Sequence, residues 1–185
     1  AERTATAPTV DGDLAAAEWT APVRTLDRDP ARLPAAGAPC STRVSYDDQH
    51  LYLGCTITMF APATLRLGST WGTDDGIEVS VAGRAPDGTA CGFVLRGYAG
   101  GAIESATVAG APAAAAEALR AATRFTAKKT ERGGVVRGWT AEWAIPWSAL
   151  GLKPEAGLTV PFNLAVTKSE FGEQHWWEGT LAESW

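Results

Sequence analysis

Residues 42–59 read TRVSYDDQHLYLGCTITM. Side chains alternate from Thr42 to Tyr46, the pattern of a strand with one buried face. Asp47-Asp48-Gln49-His50 then supplies turn chemistry, and alternation resumes from Leu51 to Met59. In the second arm Leu51, Leu53, Cys55, Ile57 and Met59 share one face, because successive strand side chains point to opposite sides. The stretch therefore predicts a β-hairpin whose apolar face needs a partner layer.

Working outward, the same period recurs along the chain. Gly76–Ala82 places Ile77, Val79 and Val81 on one side, Glu78 and Ser80 on the other. Ala90–Tyr98 sets Cys91, Phe93 and Leu95 against Val94, Arg96 and Tyr98. Val135–Ile145 sets Trp139, Ala141, Trp143 and Ile145 against Thr140, Glu142 and Ala144. Leu158–Lys168 sets Phe162, Leu164 and Val166 against Asn163, Ala165 and Thr167. Ala102–Val108 and Arg124–Thr130 read as further strands. Pro146 ends one strand, and Trp147–Leu150 forms a helical turn stopped by Gly151. Pro112 followed by Ala113–Ala122 carries strong helix formers behind an N1-type proline, which predicts one short inserted helix. A shorter turn is expected at Leu14–Trp19, with Asp13 placed to cap it. The Pro/Ala/Gly-rich stretch 29–39 reads as a long loop. Strands at this spacing without βαβ alternation predict an all-β fold, an antiparallel immunoglobulin- or jelly-roll-like β-sandwich, as one domain over residues 1–185.

The 185 residues are 45% hydrophobic and 20% charged, with a formal net charge of −5. That composition suits a packed core. Cations are scattered, with Lys128-Lys129 the one adjacent pair, so neither nucleic acid nor an anionic membrane surface is an expected partner. No apolar run is long enough to span a bilayer. The opening Ala1 to Pro8 reads as the end left after removal of a signal or anchor, which predicts a secreted, periplasmic or cell-surface protein. Cys40, Cys55 and Cys91 form no C-x-x-C pair, so a zinc site is not expected; one disulfide with one free thiol is an open alternative to three thiols. Eight tryptophans are an excess. It suits a surface that stacks on flat apolar faces as well as a core.

Four segments taken in order resemble the family 9 carbohydrate-binding modules and their DOMON-like relatives. They are Val10-Asp11-Gly12-Asp13-Leu14 with Glu18-Trp19; Val44-Ser45-Tyr46-Asp47-Asp48 through Leu51-Tyr52; Trp71 with Asp74-Asp75-Gly76-Ile77-Glu78-Val79; and Gly138-Trp139-Thr140-Ala141-Glu142-Trp143 through Ile145-Pro146-Trp147, continuing to Phe162-Asn163-Leu164-Ala165. The resemblance covers nearly the whole chain. It implies a non-catalytic module that binds the end of an oligosaccharide or polysaccharide, as a monomer that requires no cofactor.

A sugar presents apolar C–H faces and a rim of hydroxyls, so its binder needs aromatic platforms and fixed polar groups. By the resemblance, Trp71 and either Trp176 or Trp177 sandwich the terminal sugar. Glu78, Arg96 and Asn163 are the matching polar residues, and the alternation independently sets each opposite its strand's apolar face. Plainer readings stand beside these. Trp71 could anchor its loop, Glu78 could serve only as the partner of Arg96, and Asn163 could cap a sheet edge. Trp19, Trp139 and Trp143 are expected in the core. The resemblance also implies a structural calcium, for which Asp47 and Asp48, or the Asp11-Gly12-Asp13 turn, would donate oxygens. The alternative function is a haem-b-binding DOMON-like cytochrome domain with Met59 and His175 as axial ligands. A glycosidase using Glu78 and Glu142 is a third choice.

Overall fold

The computed structural model describes residues 1–176 except 16, 30, 36, 61–64, 107–117 and 130–134, and gives the backbone alone at 106, 127–129, 135, 136, 171 and 173–176. In chain order the strands are β1 (Glu2–Arg3), β2 (Arg24–Leu26), β3 (Cys40–Tyr46), β4 (His50–Met59), β5 (Gly76–Arg84), β6 (Ala90–Tyr98), β7 (Ile103–Ala106), β8 (Arg120–Lys129), β9 (Val135–Pro146), β10 (Phe162–Lys168) and β11 (Glu173–Trp176). Among the described residues they form two sheets. One runs β1-β3-β4-β9-β8 with β2 also on β3; the other runs β11-β10-β5-β6-β7. Neighbours are antiparallel except β1 and β3.

The hairpin is β3–β4, with Val44 opposite Leu53 and Tyr46 opposite Leu51. Its apolar stripe faces inward as the alternation requires. Leu51, Leu53, Cys55, Ile57 and Met59 are buried with Trp139, Ala141, Trp143 and Ile145 of β9. Across from them lie Ile77, Val79, Val81, Phe93, Leu95, Leu164 and Val166 of the second sheet. The two sheets thus close one continuous apolar layer, the antiparallel β-sandwich expected from the period-2 pattern. Pro146 leads into a single 3₁₀ turn, Trp147–Leu150, that Gly151 ends.

Several details differ from the sequence reading. Arg120–Ala122, assigned there to the inserted helix, open strand β8; their good helix propensity yields to ten-residue pairing with β9. Residues 112–117 of that helix lie outside the described residues. The last long strand begins at Phe162 rather than Leu158, because Pro161 has no N–H for a ladder. Asp13 does not cap the following turn. Its carboxylate pairs with Arg124 at 2.7 Å, while Trp19 N–H closes the turn on Ala15 O at 3.1 Å.

The outer face of the first sheet is covered, which alternation alone does not reveal. Val10, Leu14 and Trp19 pack on Tyr52 and Ala144 as a second apolar cluster. Glu142, placed by the sequence on the non-core face of its strand, is fully buried there. It accepts the N–H groups of Asp11 (2.9 Å) and Gly12 (2.7 Å) and the indole N–H of Trp19 (2.7 Å). Two glycines permit this cover. Gly12 adopts φ +87°, which L side chains rarely reach, and a Cβ at Gly54 would stand 2.6 Å from Leu14.

Cys40, Cys55 and Cys91 are free thiols. Cys55 donates to Thr42 Oγ1 at 3.3 Å. Burial pushes its thiol up to about 12, against the Thr42 bond and with help from Cys40. None of the described helices is long and apolar enough to cross a membrane.

Candidate functional site

The outer face of the second sheet differs in kind from that of the first. Pairing sets Glu104 of β7 opposite Arg96 of β6, Arg96 opposite Glu78 of β5, Glu78 opposite Ala165 of β10, and Ala165 opposite Trp176 of β11. Residues opposite one another in a sheet share a face, so one row of register positions crosses all five strands. Asn163 lies two residues from Ala165, opposite Ser80, and so joins the same face. Glu78, Arg96 and Asn163 are therefore on one surface, which alternation within single strands could not establish.

The chemistry of the row is fixed by ion pairs. Arg96 Nε donates to Glu78 Oε2 at 2.7 Å, and its Nη1 donates to Glu104 Oε1 at 3.3 Å. Tyr98 OH donates to the same Glu104 oxygen at 2.7 Å. The Glu78 side chain is 1% exposed, Arg96 17% and Glu104 42%, so the row opens to solvent toward β7. Burial works against the Arg96 charge, yet Glu78, by hydrogen bond and charge, and Glu104 hold its pKa above the ordinary arginine value. Burial, then the Glu104 bond, raises the Tyr98 phenol. Asn163 is buried, and its side-chain oxygen accepts Leu164 N–H at 2.9 Å.

Trp71 stands over this row, its ring centroid 5.3 Å from Arg96 Cζ, within cation–π range. Its loop is tied down from both sides. Asp74 accepts Thr70 N–H at 2.8 Å, and buried Asp75 accepts Arg66 N–H at 2.9 Å and the Ser169 hydroxyl. Trp71 is half-buried, and its indole N–H has no hydrogen-bond partner among the described residues; neither has Thr167 Oγ1, on the same face of β10.

Other candidates fare differently. The backbone of Trp176 closes the row, with no side chain described, and Trp177 lies outside the described residues. Trp139 and Trp143 are in the main core, and Trp19 in the covering cluster. Sequence reading gave no part to Glu104, Tyr98 or Asp75. Glu104 alternates within β7 as Arg96 does within β6, and Asp75 belongs to the Asp-Asp-Gly run that opens β5, so both carried a signal.

Asp47 and Asp48 do not fit a calcium site. Asp47 caps the hairpin turn, accepting Gln49 N–H, His50 N–H and Tyr52 OH, each at 2.7 Å. Asp48 is held by Arg3 at 2.6 Å. Among the described residues no group of three or more His, Cys, Asp or Glu side chains converges on a cation position. Of the alternative haem pair, Met59 is buried in the core of the first sheet, and His175 lies on β11 of the second, opposite Val166, with its side chain outside the description. Glu78 and Glu142 sit on the outer faces of opposite sheets, so they do not flank one cleft. A cleft of about 380 Å³ opens at one end of the sandwich, with Val44, Tyr46, Leu51, Val81, Trp147 and Phe162 in its wall, but it holds none of the polar row.

No family model and no curated protein matches the sequence. Solved structures do match. The chain is similar to a family 9 carbohydrate-binding module from Caldicellulosiruptor kristjanssonii in complex with cellotriose, at a TM-score of 0.63 and 14% identity over 94% of this chain and 78% of that one. It is equally similar to such a module from the same organism in complex with glucose, at a TM-score of 0.63 and 14% identity over 95% and 85%. A structure from Bacteroides uniformis follows at a TM-score of 0.56, with 14% identity over 95% and 85%. At such identity the likeness speaks for architecture, and the architecture of this chain is the β-sandwich of the family 9 carbohydrate-binding modules.

Proposed function

We propose that this chain is a non-catalytic carbohydrate-binding module, and that a saccharide end docks on the outer face of the β11-β10-β5-β6-β7 sheet. The observation that carries the proposal is the half-buried Trp71 ring held 5.3 Å above an Arg96 clamped between Glu78 and Glu104. An indole fixed over a rigid polar row offers a sugar its two needs together, a flat apolar face and oriented groups for hydroxyls. The unpartnered indole N–H of Trp71 and the hydroxyl of Thr167 add donors on the same face. Trp176 or Trp177 supplies the opposing platform in this reading, with Arg96, Glu78 and Asn163 on the hydroxyl rim. The solved neighbours with cellotriose and glucose give the first ligands to try.

The test is a titration with cellotriose and with glucose, followed by tryptophan fluorescence and calorimetry, on the parent and on Trp71→Ala. Truncating a central aromatic of a binding surface costs more than about 1–2 kcal/mol, so affinity should fall roughly tenfold or more. Circular dichroism should show the sandwich intact, since Trp71 is not part of either core cluster. A Trp71→Ala protein that binds as tightly as the parent removes the site.

A further inference from the structure

Resting on that reading, we infer that the site selects by charge, accepting neutral and amine-bearing sugars and rejecting uronates, and that Glu104 sets this preference. The site row holds two carboxylates against one guanidinium. Arg96 is the residue that could have clamped an acidic sugar, since a guanidinium fork matches a carboxylate. Here its Nε faces Glu78, its Nη1 faces Glu104, and its flat side lies under Trp71. The cation is enclosed by its own partners. Glu104, by contrast, takes its hydrogen bonds from Arg96 and Tyr98 among the described residues on Oε1. Its side chain is 42% exposed, at the solvent end of the row. The carboxylate edge is thus what an arriving ligand meets. An ammonium on the sugar gains a charge-assisted bond there, and a uronate meets a like charge.

Glucose, glucosamine and glucuronate share one ring and differ in charge, so they separate this effect from stacking. Each is titrated at low salt and about pH 6, where the amine is protonated and the uronate ionised. Like-charge repulsion at a partly exposed site should weaken glucuronate at least about fivefold relative to glucose, with glucosamine at or above glucose, and high salt should shrink the spread. Glu104→Gln should lower the glucosamine-to-glucuronate affinity ratio, whatever it does to either affinity alone. If glucose binds but glucuronate binds as well or better, or if Glu104→Gln leaves the ratio unchanged, charge selection falls while sugar binding stands. If the parent binds none of the three sugars and no cellotriose, the sugar-binding reading falls and the selection with it.

Discussion

Replacing Glu142 by Gln tests how the N-terminal segment is held to the sandwich. The Glu142 carboxylate takes three donors: two backbone N–H groups, of Asp11 and Gly12, on Oε2, and the Trp19 indole N–H on Oε1. An amide keeps one acceptor oxygen. Its cheaper orientation leaves that oxygen on the two backbone donors and turns the NH₂ toward the Trp19 N–H, donor against donor. Leaving one buried donor unsatisfied costs about 1–3 kcal/mol, and the two surviving bonds lose their charge assistance. Removing a desolvated charge offsets part of this. A net loss of about 2 kcal/mol follows, which for a chain of this size lowers Tm by about 4–8 °C.

The assay is thermal and urea unfolding of Glu142→Gln, Trp19→Phe and the double variant. Trp19→Phe removes the same donor that Glu142→Gln strands, so its cost should fall in the Gln background, with a coupling of about 1 kcal/mol. Acidity adds a second reading. Burial pushes the Glu142 carboxyl above its ordinary value, against its three donors and with a contribution from nearby Asp11. A carboxyl raised on folding gives stability that is complete below its unfolded pKa and is lost as pH rises through the folded one. The parent should therefore gain on Glu142→Gln as the pH is lowered from 7 toward 4.5. A Gln variant as stable as the parent at pH 7, or equal Trp19→Phe costs in both backgrounds, would refute the clamp.

Two further predictions concern the core and the loop. Alkylation of the native protein should modify half-buried Cys91 first, with Cys55 protected until unfolding, because its thiol is buried and held far from ionisation; equal labelling rates at the two would contradict this packing. Asp75→Asn keeps one oxygen for the Arg66 N–H and the Ser169 hydroxyl, both on Oδ2, without its charge, and turns its NH₂ toward the Ser169 N–H that Oδ1 accepts, so it should loosen the Trp71 loop and weaken cellotriose binding several-fold at a modest cost in Tm. Unchanged affinity would show that the loop does not position the indole.

The fold was legible because period-2 alternation is a statement about faces, and in this chain the faces are clean. Leu51 through Met59 and Trp139 through Ile145 point inward as written. What alternation does not say is what lies on the other side. Glu142 and Glu78 look alike in sequence, each an acidic residue opposite a core stripe. One is sealed under Trp19, and the other is tied to Arg96 beneath Trp71. The difference comes from what covers each, the distant segment Asp11–Trp19 in one case and the Arg66–Asp75 loop that leads into β5 in the other, and alternation carries neither. Register is equally non-local. The row from Glu104 to Ala165 exists because β7, β6, β5 and β10 pair without a one-residue slip, and a slip in any of them would turn its member of the row into the core. A site spread across strands is thus specified by the inward stripes: Ile77, Val79, Leu95 and Val166 fix which residues face outward, and the polar row follows from their burial.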